Sequence, residues 1–330
     1  MDPLKPVKDQ DIPQATAGSA PLYQHDSLEE TPPRQGPVAV SPTRNILRAL
    51  GFILLHQVVM ALAFLLLTVS LFMPRFSANT PGDLPDLQPG SPFWEQIQVE
   101  MLSADHTALT SLLAACLLIP LTSFYLRKRR KSNPYAIMTE KPQSPAWAWS
   151  LWALLAAQGL AMAWLHFLDW ASQYSAFIAS RVKVYEEVMN MIADDQVNVG
   201  LALLATCIFV PIMEELIYRG VVMGELRQIC SDRTAILVQA AIFGLIHANF
   251  IQSVYAFVLG LVIGYIYYKS QSILLSIASH VLFNFLGGGL PILVGEDSIM
   301  IQTVFILEIL ALVSFLIYLG LRLVRRPRLS

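Results

Sequence analysis

Four stretches of this chain, 49–73, 107–126, 145–169 and 301–321, run apolar for 20 residues or more with at most one acidic residue each. A helix needs about 20 such residues to cross the hydrocarbon core of a bilayer, so these segments commit the chain to lipid. Composition agrees. Of 330 residues 55% are hydrophobic and 14% charged, with a mean hydropathy of +0.53. Soluble domains carry about a quarter charged residues, and a core of this size would lack a polar exterior. The net charge of -2 offers nothing to nucleic acid. Cys116, Cys207 and Cys230 have neither zinc nor disulfide spacing and read as small packing residues.

Residues 1–44 hold Pro3, Pro6, Pro13, Pro21, Pro32, Pro33 and Pro37 among polar residues and have little to bury, so a disordered tail is expected. The dense region 198–290 divides into four shorter helices, 198–218, 234–250, 254–268 and 272–287, the last two short for a full span. The expected fold is all-α: a polytopic transmembrane helix bundle of about eight helices. Its organisation is a tail over 1–44, N-terminal transmembrane helices and loops over 45–197, a helical core over 198–290, and a last helix with a basic tail over 291–330. Residues 170–197 read as a loop with an interfacial helix.

Arg127, Lys128, Arg129, Arg130 and Lys131 follow the second span, and Arg322, Arg325, Arg326 and Arg328 follow the last, whereas 74–106 hold only Arg75. Positive loops stay in the cytosol. Eight spans, or six with a re-entrant pair, therefore put both termini there, in an integral membrane protein expected in a bacterial inner membrane.

Several polar residues are out of place in such a setting, because a charge near the bilayer centre costs about 3 kcal/mol on insertion scales. Glu214, Glu215 and Arg219 lie in one apolar helix. Glu215 and Arg219 are i,i+4 and can pair, while Glu214 lies off that face. Its free carboxylate suits a general base; the bland alternative is a charge cluster anchoring a helix end. Phe243 with His247, and His280 with Asn284, are further i,i+4 pairs on separate helices, and helices of a bundle can bring such faces together. His56 and His166, without such partners, read as hydrogen-bonded core residues. Glu308 is an isolated acid in the last span. Gly260 and Gly264 fit close packing within the monomer, and Gly287, Gly288, Gly289 and Pro291 read as the end of the helix bearing His280.

The patterns Glu-Glu-x-x-x-Arg, Phe-x-x-x-His and His-x-x-x-Asn, in this order within apolar helices over 198–287, resemble those of the CAAX protease and bacteriocin-processing (CPBP, or Abi) family. The resemblance implies an intramembrane endopeptidase acting on a peptide or membrane-associated protein. Glu214 and His247 would activate water, His280 and Asn284 would hold the oxyanion, and Glu215, Arg219 and Phe243 would support them. No His-Glu-x-x-His occurs, which excludes a zincin helix. Zinc on Glu214, His247 and His280 stays possible; Asn284, a poor zinc ligand, favours a site without a cofactor. A proton- or ion-coupled transporter and a catalytically silent scaffold are the competing classes, though the chain shows no internal repeat and keeps every motif residue.

One tension is internal to the sequence. Counted from the cytosolic helix ends, Glu214 lies shallow, His280 deeper and His247 near the far end of its helix. A shared site requires the His247 helix to start late, tilt or break.

Overall fold

The computed structural model describes residues 41–77, 88, 90–192, 198–295 and 298–324, so nearly all of the expected tail lies outside the described residues. Among the described residues there are ten helices: α1 Pro42–Ser77, α2 Pro92–Leu102, α3 Ala104–Arg129, α4 Ser144–Ser172, α5 Ala176–Ile192, α6 Val199–Leu226, α7 Asp232–Leu245, α8 Phe250–Ser270, α9 Ile273–Val294 and α10 Ile299–Val324. Seven of them, α1, α3, α4, α6, α8, α9 and α10, are long and apolar enough to cross a membrane. The chain is an integral multi-pass membrane protein.

The expectation of eight spans changes in detail. The segment drawn as 234–250 is α7, which has 14 residues and reaches about 21 Å at 1.5 Å per residue. It is too short for a full hydrocarbon core, whereas the two segments expected to be short have 21 and 22 residues. α7 nevertheless carries the chain back, because α6 ends where α8 also ends. Asn133 from the loop after α3 donates to the Gly224 carbonyl, and the same loop meets the start of α9 through Ile273 N to Met138 O at 2.8 Å. α1 begins at this end too, Asn45 donating to Gln228 at 2.7 Å, while Asn198 and Asp105 join α6 to α3 at the opposite end.

Polar caps cut the apolar sequence into helices. Ser103, Asn198, Ser231, Asn249 and Ser272 each accept a backbone N–H from the first turn that follows, satisfying donors the helix leaves orphaned. Gln271, at φ 52, closes α8 and permits the tight return into α9. The region 74–106 contains a helix, α2, that its acidic, Pro-rich character did not announce. The helix expected within 170–197 is α5, packed against α4 and α8.

α6 is the axis of the bundle. Every residue from Met213 to Glu225 is buried, and α1, α3, α7, α8 and α9 all pack on it. The outer faces of α1 and α10 instead expose leucine and isoleucine, among them Leu54, Leu66, Leu310 and Leu316, as a lipid-facing surface should. The arrangement puts the helix that carries Glu214, Glu215 and Arg219 in the centre and the two most apolar spans, α1 and α10, outside. Gly260 and Gly264 do serve packing within the chain: a Cβ on Gly260 would stand 2.9 Å from Ala240 Cα, and one on Gly264 2.6 Å from Gln239 Nε2.

Two smaller expectations need correcting. The glycines 287–289 do not end the helix bearing His280, which widens there and continues to Val294. Cys116 is exposed rather than packed, while Cys207 is buried and Cys230 half-buried; all three are free thiols.

Candidate active site

Three stretches of π-helix, Leu204–Phe209, Glu215–Met223 and Phe285–Gly289, interrupt α6 and α9. Such wide turns are rare in helices and cluster at functional sites. Here they border the expected residues: Glu214 and Glu215 stand at the start of the second, and Asn284 immediately precedes the third.

Glu215 is fully buried and has three neighbours. His280 Nδ1 donates to its Oε1 at 2.8 Å, Ser276 Oγ donates to its Oε2 at 2.5 Å, and Arg219 Nη1 stands 2.8 Å from Oε1. The expected Glu215–Arg219 pair is present, with a geometry of its own. None of the three guanidinium nitrogens is aligned for a hydrogen bond, so the pair is an ionic contact without the directional bond its distance suggests. The guanidinium lies over the Phe243 ring, 4.8 Å from its centroid, and a desolvated cation of this kind gains about 2 kcal/mol from the ring's negative face.

Phe243 is the hub of the site. His247 and His280 both meet its ring edge-on, at 5.0 and 5.8 Å, and Tyr218 meets it at 5.2 Å. Residues from α6, α7, α9 and the turn after α7 thus share one aromatic surface.

The depth tension is resolved by a break. α7 stops at Leu245, and His247 lies in the turn before Asn249 caps α8, with Ala248 at φ 51. Gly244 permits this close return, since a Cβ there would stand 2.7 Å from the Ser253 carbonyl. Glu214 is deeper than counting suggested, because α6 runs to Leu226 and sets it 12 residues from that end, about 18 Å.

Local bonds fix the ring tautomers. His247 Nδ1 is 2.7 Å from the Phe243 carbonyl; a carbonyl only accepts, so Nδ1 carries the proton and a neutral ring keeps its lone pair at Nε2. His280 Nδ1 likewise donates to Glu215, and its Nε2 lies 3.7 Å from Glu214 Oε2. Among the described residues Glu214 accepts no hydrogen bond, and its carboxylate keeps slight exposure, the residue being 8% exposed. Asn284 is half-buried one turn beyond His280, and its Nδ2 donates to the Thr206 carbonyl at 2.8 Å, inside the first π stretch. That leaves its second N–H and its carbonyl uncommitted.

No group of three His, Cys, Asp or Glu among the described residues has a metal-holding arrangement; both imidazoles bond protein oxygens through Nδ1 and leave Nε2 as the free nitrogen.

Two residues enter that the sequence did not single out. Ser276 stands four residues before His280 on the same face, a signal that Ser-x-x-x-His-x-x-x-Asn carried. His56, read as an ordinary core histidine, bonds through Nδ1 to Tyr218 Oη at 3.1 Å and lies within electrostatic range of both Glu214 and His247. His166 is exposed and edge-on to Phe305 on α10, away from this cluster.

Residues 196–286 match the family model described as Rce1-like, type II CAAX prenyl endopeptidase Rce1-like. No curated protein and no solved structure matches the chain.

Proposed function

With residues 196–286 carrying the core of the CAAX protease and bacteriocin-processing family, we propose that this chain is an intramembrane endopeptidase that hydrolyses a peptide bond with a water activated by Glu214 and His247. The observation that carries the reading is that His247 and His280 meet on the Phe243 ring with Glu214 3.7 Å from His280, all three from separate segments of the chain. Neither a helix-anchoring charge cluster nor a silent scaffold requires that convergence.

The chemistry follows from the tautomers. His247 keeps Nε2 as a lone pair, and Glu214 is a carboxylate with no donor assigned to it, so both can accept a proton from water as it attacks the scissile carbonyl. The tetrahedral intermediate places negative charge on the carbonyl oxygen. Asn284 offers an amide N–H to that charge, and His280 offers Nε2–H when its ring is doubly protonated, with Glu215 as the counter-charge. Preorganised donors of this kind are worth about 100- to 1000-fold each in rate. The proton taken by Glu214 or His247 then passes to the leaving amine, restoring the site. Arg219 balances the charge of Glu215. No step requires a metal.

The family's description points to a prenylated C-terminal peptide as the substrate class. The bundle end that carries Arg127 to Lys131 also carries the start of α1 and the end of α10, so the positive-inside rule puts both termini in the cytosol. In functional terms we read the helices before residue 198 as enclosing the 198–290 core, with α10 closing the bundle.

The test is cleavage, by the purified chain in lipid nanodiscs, of an internally quenched farnesylated peptide ending in Cys-aliphatic-aliphatic-Met, with mass spectrometry of the released tripeptide. Glu214→Gln is expected to lower kcat by about 1000-fold or more. Turnover that survives this substitution would remove Glu214 from the mechanism, and no turnover by the wild-type chain would remove this substrate class.

A further inference from the structure

α1 lies wholly outside the segment matched by the family model, yet it delivers a polar group to the site. His56 is 5% exposed and Tyr218 0% exposed, and each is the other's only hydrogen-bond partner among the described residues. The rings also meet edge-on at 6.0 Å. A buried hydroxyl left without a partner costs about 1–3 kcal/mol, so this bond answers a need created by Tyr218 itself. Tyr218 is the fourth residue after Glu214 and lies in the π-helical stretch 215–223, against which α1 packs. Its ring lies against Phe243, the surface shared by His247 and His280. Glu214 has no hydrogen bond of its own to hold it, so its place depends on the backbone of this widened stretch. Tyr218 ties that stretch to α1.

We propose that His56 is a positioning residue of the hydrolytic site, holding Tyr218 and through it the Glu214 segment of α6 in register with Phe243 and its two imidazoles. The inference rests on the peptidase reading above. Loss of the bond loosens the geometry of the base without touching the groups that bind substrate. The effect falls on kcat rather than KM, because a misplacement of about 1 Å at a reacting group can cost about 100-fold.

The test uses the full chain in nanodiscs with the farnesylated reporter peptide. His56→Ala and Tyr218→Phe are expected to lower kcat by about 10- to 100-fold with KM within about twofold, the double variant being no worse than either alone. His56→Asn, whose amide can meet the tyrosine hydroxyl in either direction of the proton, is expected to recover most of the loss. A folded His56→Ala protein with wild-type kcat overturns the proposal. So does a loss that asparagine fails to restore, which would assign the imidazole itself a chemical role. A second readout needs no turnover: in a chain with Cys116→Ser, Cys207→Ser and Cys230→Ser, the methanethiosulfonate modification rate of Glu214→Cys is expected to change severalfold when His56→Ala is added. An unchanged rate overturns the positioning role whether or not the reporter is cleaved. A changed rate with no cleavage of the reporter by the wild-type chain upholds the coupling of the two residues and removes this substrate class alone.

Discussion

His280 stands between two carboxylates, its Nδ1 2.8 Å from Glu215 Oε1 and its Nε2 3.7 Å from Glu214 Oε2. Adjacent glutamates in one helix therefore address opposite edges of the same ring. One is saturated with partners and fixes the ring; the other is nearly without them and is open to chemistry. That asymmetry assigns different consequences to two substitutions of the same type.

Glu215→Gln is expected to act on folding before it acts on rate. The change leaves Arg219, 0% exposed, without a counter-charge, and breaking a buried pair from one side costs about 3–5 kcal/mol. Thermal unfolding in nanodiscs, followed by near-UV circular dichroism, should show a clear fall in Tm. Glu214→Gln should leave Tm within a degree or two of wild type. Equal Tm losses in the two variants would contradict the division of roles.

Ser276→Ala removes one of the bonds that hold Glu215. A hydrogen bond to a buried carboxylate is worth about 1.5–3 kcal/mol, so the variant should be measurably less stable. His280 and Arg219 still hold the other carboxylate oxygen, so kcat should fall by less than about tenfold. A loss as large as that of Glu214→Gln would show Ser276 to act on the reaction directly.

Glu214, His247 and His280 do not form a metal-holding group, and the steps derived above use none. Pre-incubation with 1,10-phenanthroline is therefore expected to leave turnover of the farnesylated reporter unchanged. Inhibition reversed by added zinc would overturn that expectation, and metal analysis of the active preparation would give the stoichiometry.

Much of this is legible in the sequence. Continuous apolar runs made the helical class readable, and the i,i+4 pairing of Glu215 with Arg219 and of His280 with Asn284 followed from helical periodicity. The remainder depended on long-range geometry. Nothing local to the sequence reveals that α6 widens after Glu214, that α7 stops at Leu245, or that His247 lies in the turn beyond. His56 was legible only as a lone histidine in an apolar helix, because its partner lies 162 residues away. The Glu215–His280 bond was hidden for the same reason: pairing with Arg219 satisfied the local rule, and a carboxylate with two oxygens had room for more.

The end of the bundle opposite the site's aromatic turn is fastened by a second buried acid. Glu225 is 1% exposed and takes two bonds from Arg129, from Nε at 2.6 Å and from Nη2 at 2.8 Å, and a third from Tyr125 at 3.2 Å. Arg48 stands 3.8 Å away, so α1, α3 and α6 meet on one carboxylate. Glu225→Gln should lower stability by about 3 kcal/mol, the lower part of the range for a broken buried pair, because Arg129 keeps some access to water. Residual kcat per folded molecule should be close to wild type, since none of these groups touches the Phe243 cluster. A selective loss of kcat at unchanged Tm would place this latch in the catalytic machinery instead.

Cys230 offers a pH-dependent check on the segment between α6 and α7. Burial, and secondarily the Asp232 carboxylate, raise its thiol above the usual value, and its Sγ lies 3.2 Å from the Leu226 carbonyl. Both causes disfavour the thiolate, the species that reacts. In a chain with Cys116→Ser and Cys207→Ser, iodoacetamide should therefore modify Cys230 more slowly at pH 7.5 than it modifies a free cysteine. The rate should keep rising with pH beyond the point where the free thiol levels off. Asp232→Asn removes only the secondary cause and should shift the profile modestly toward lower pH. A profile matching the free amino acid would mean that Cys230 is not enclosed as described, and that the turn joining α6 to α7 is open to solvent.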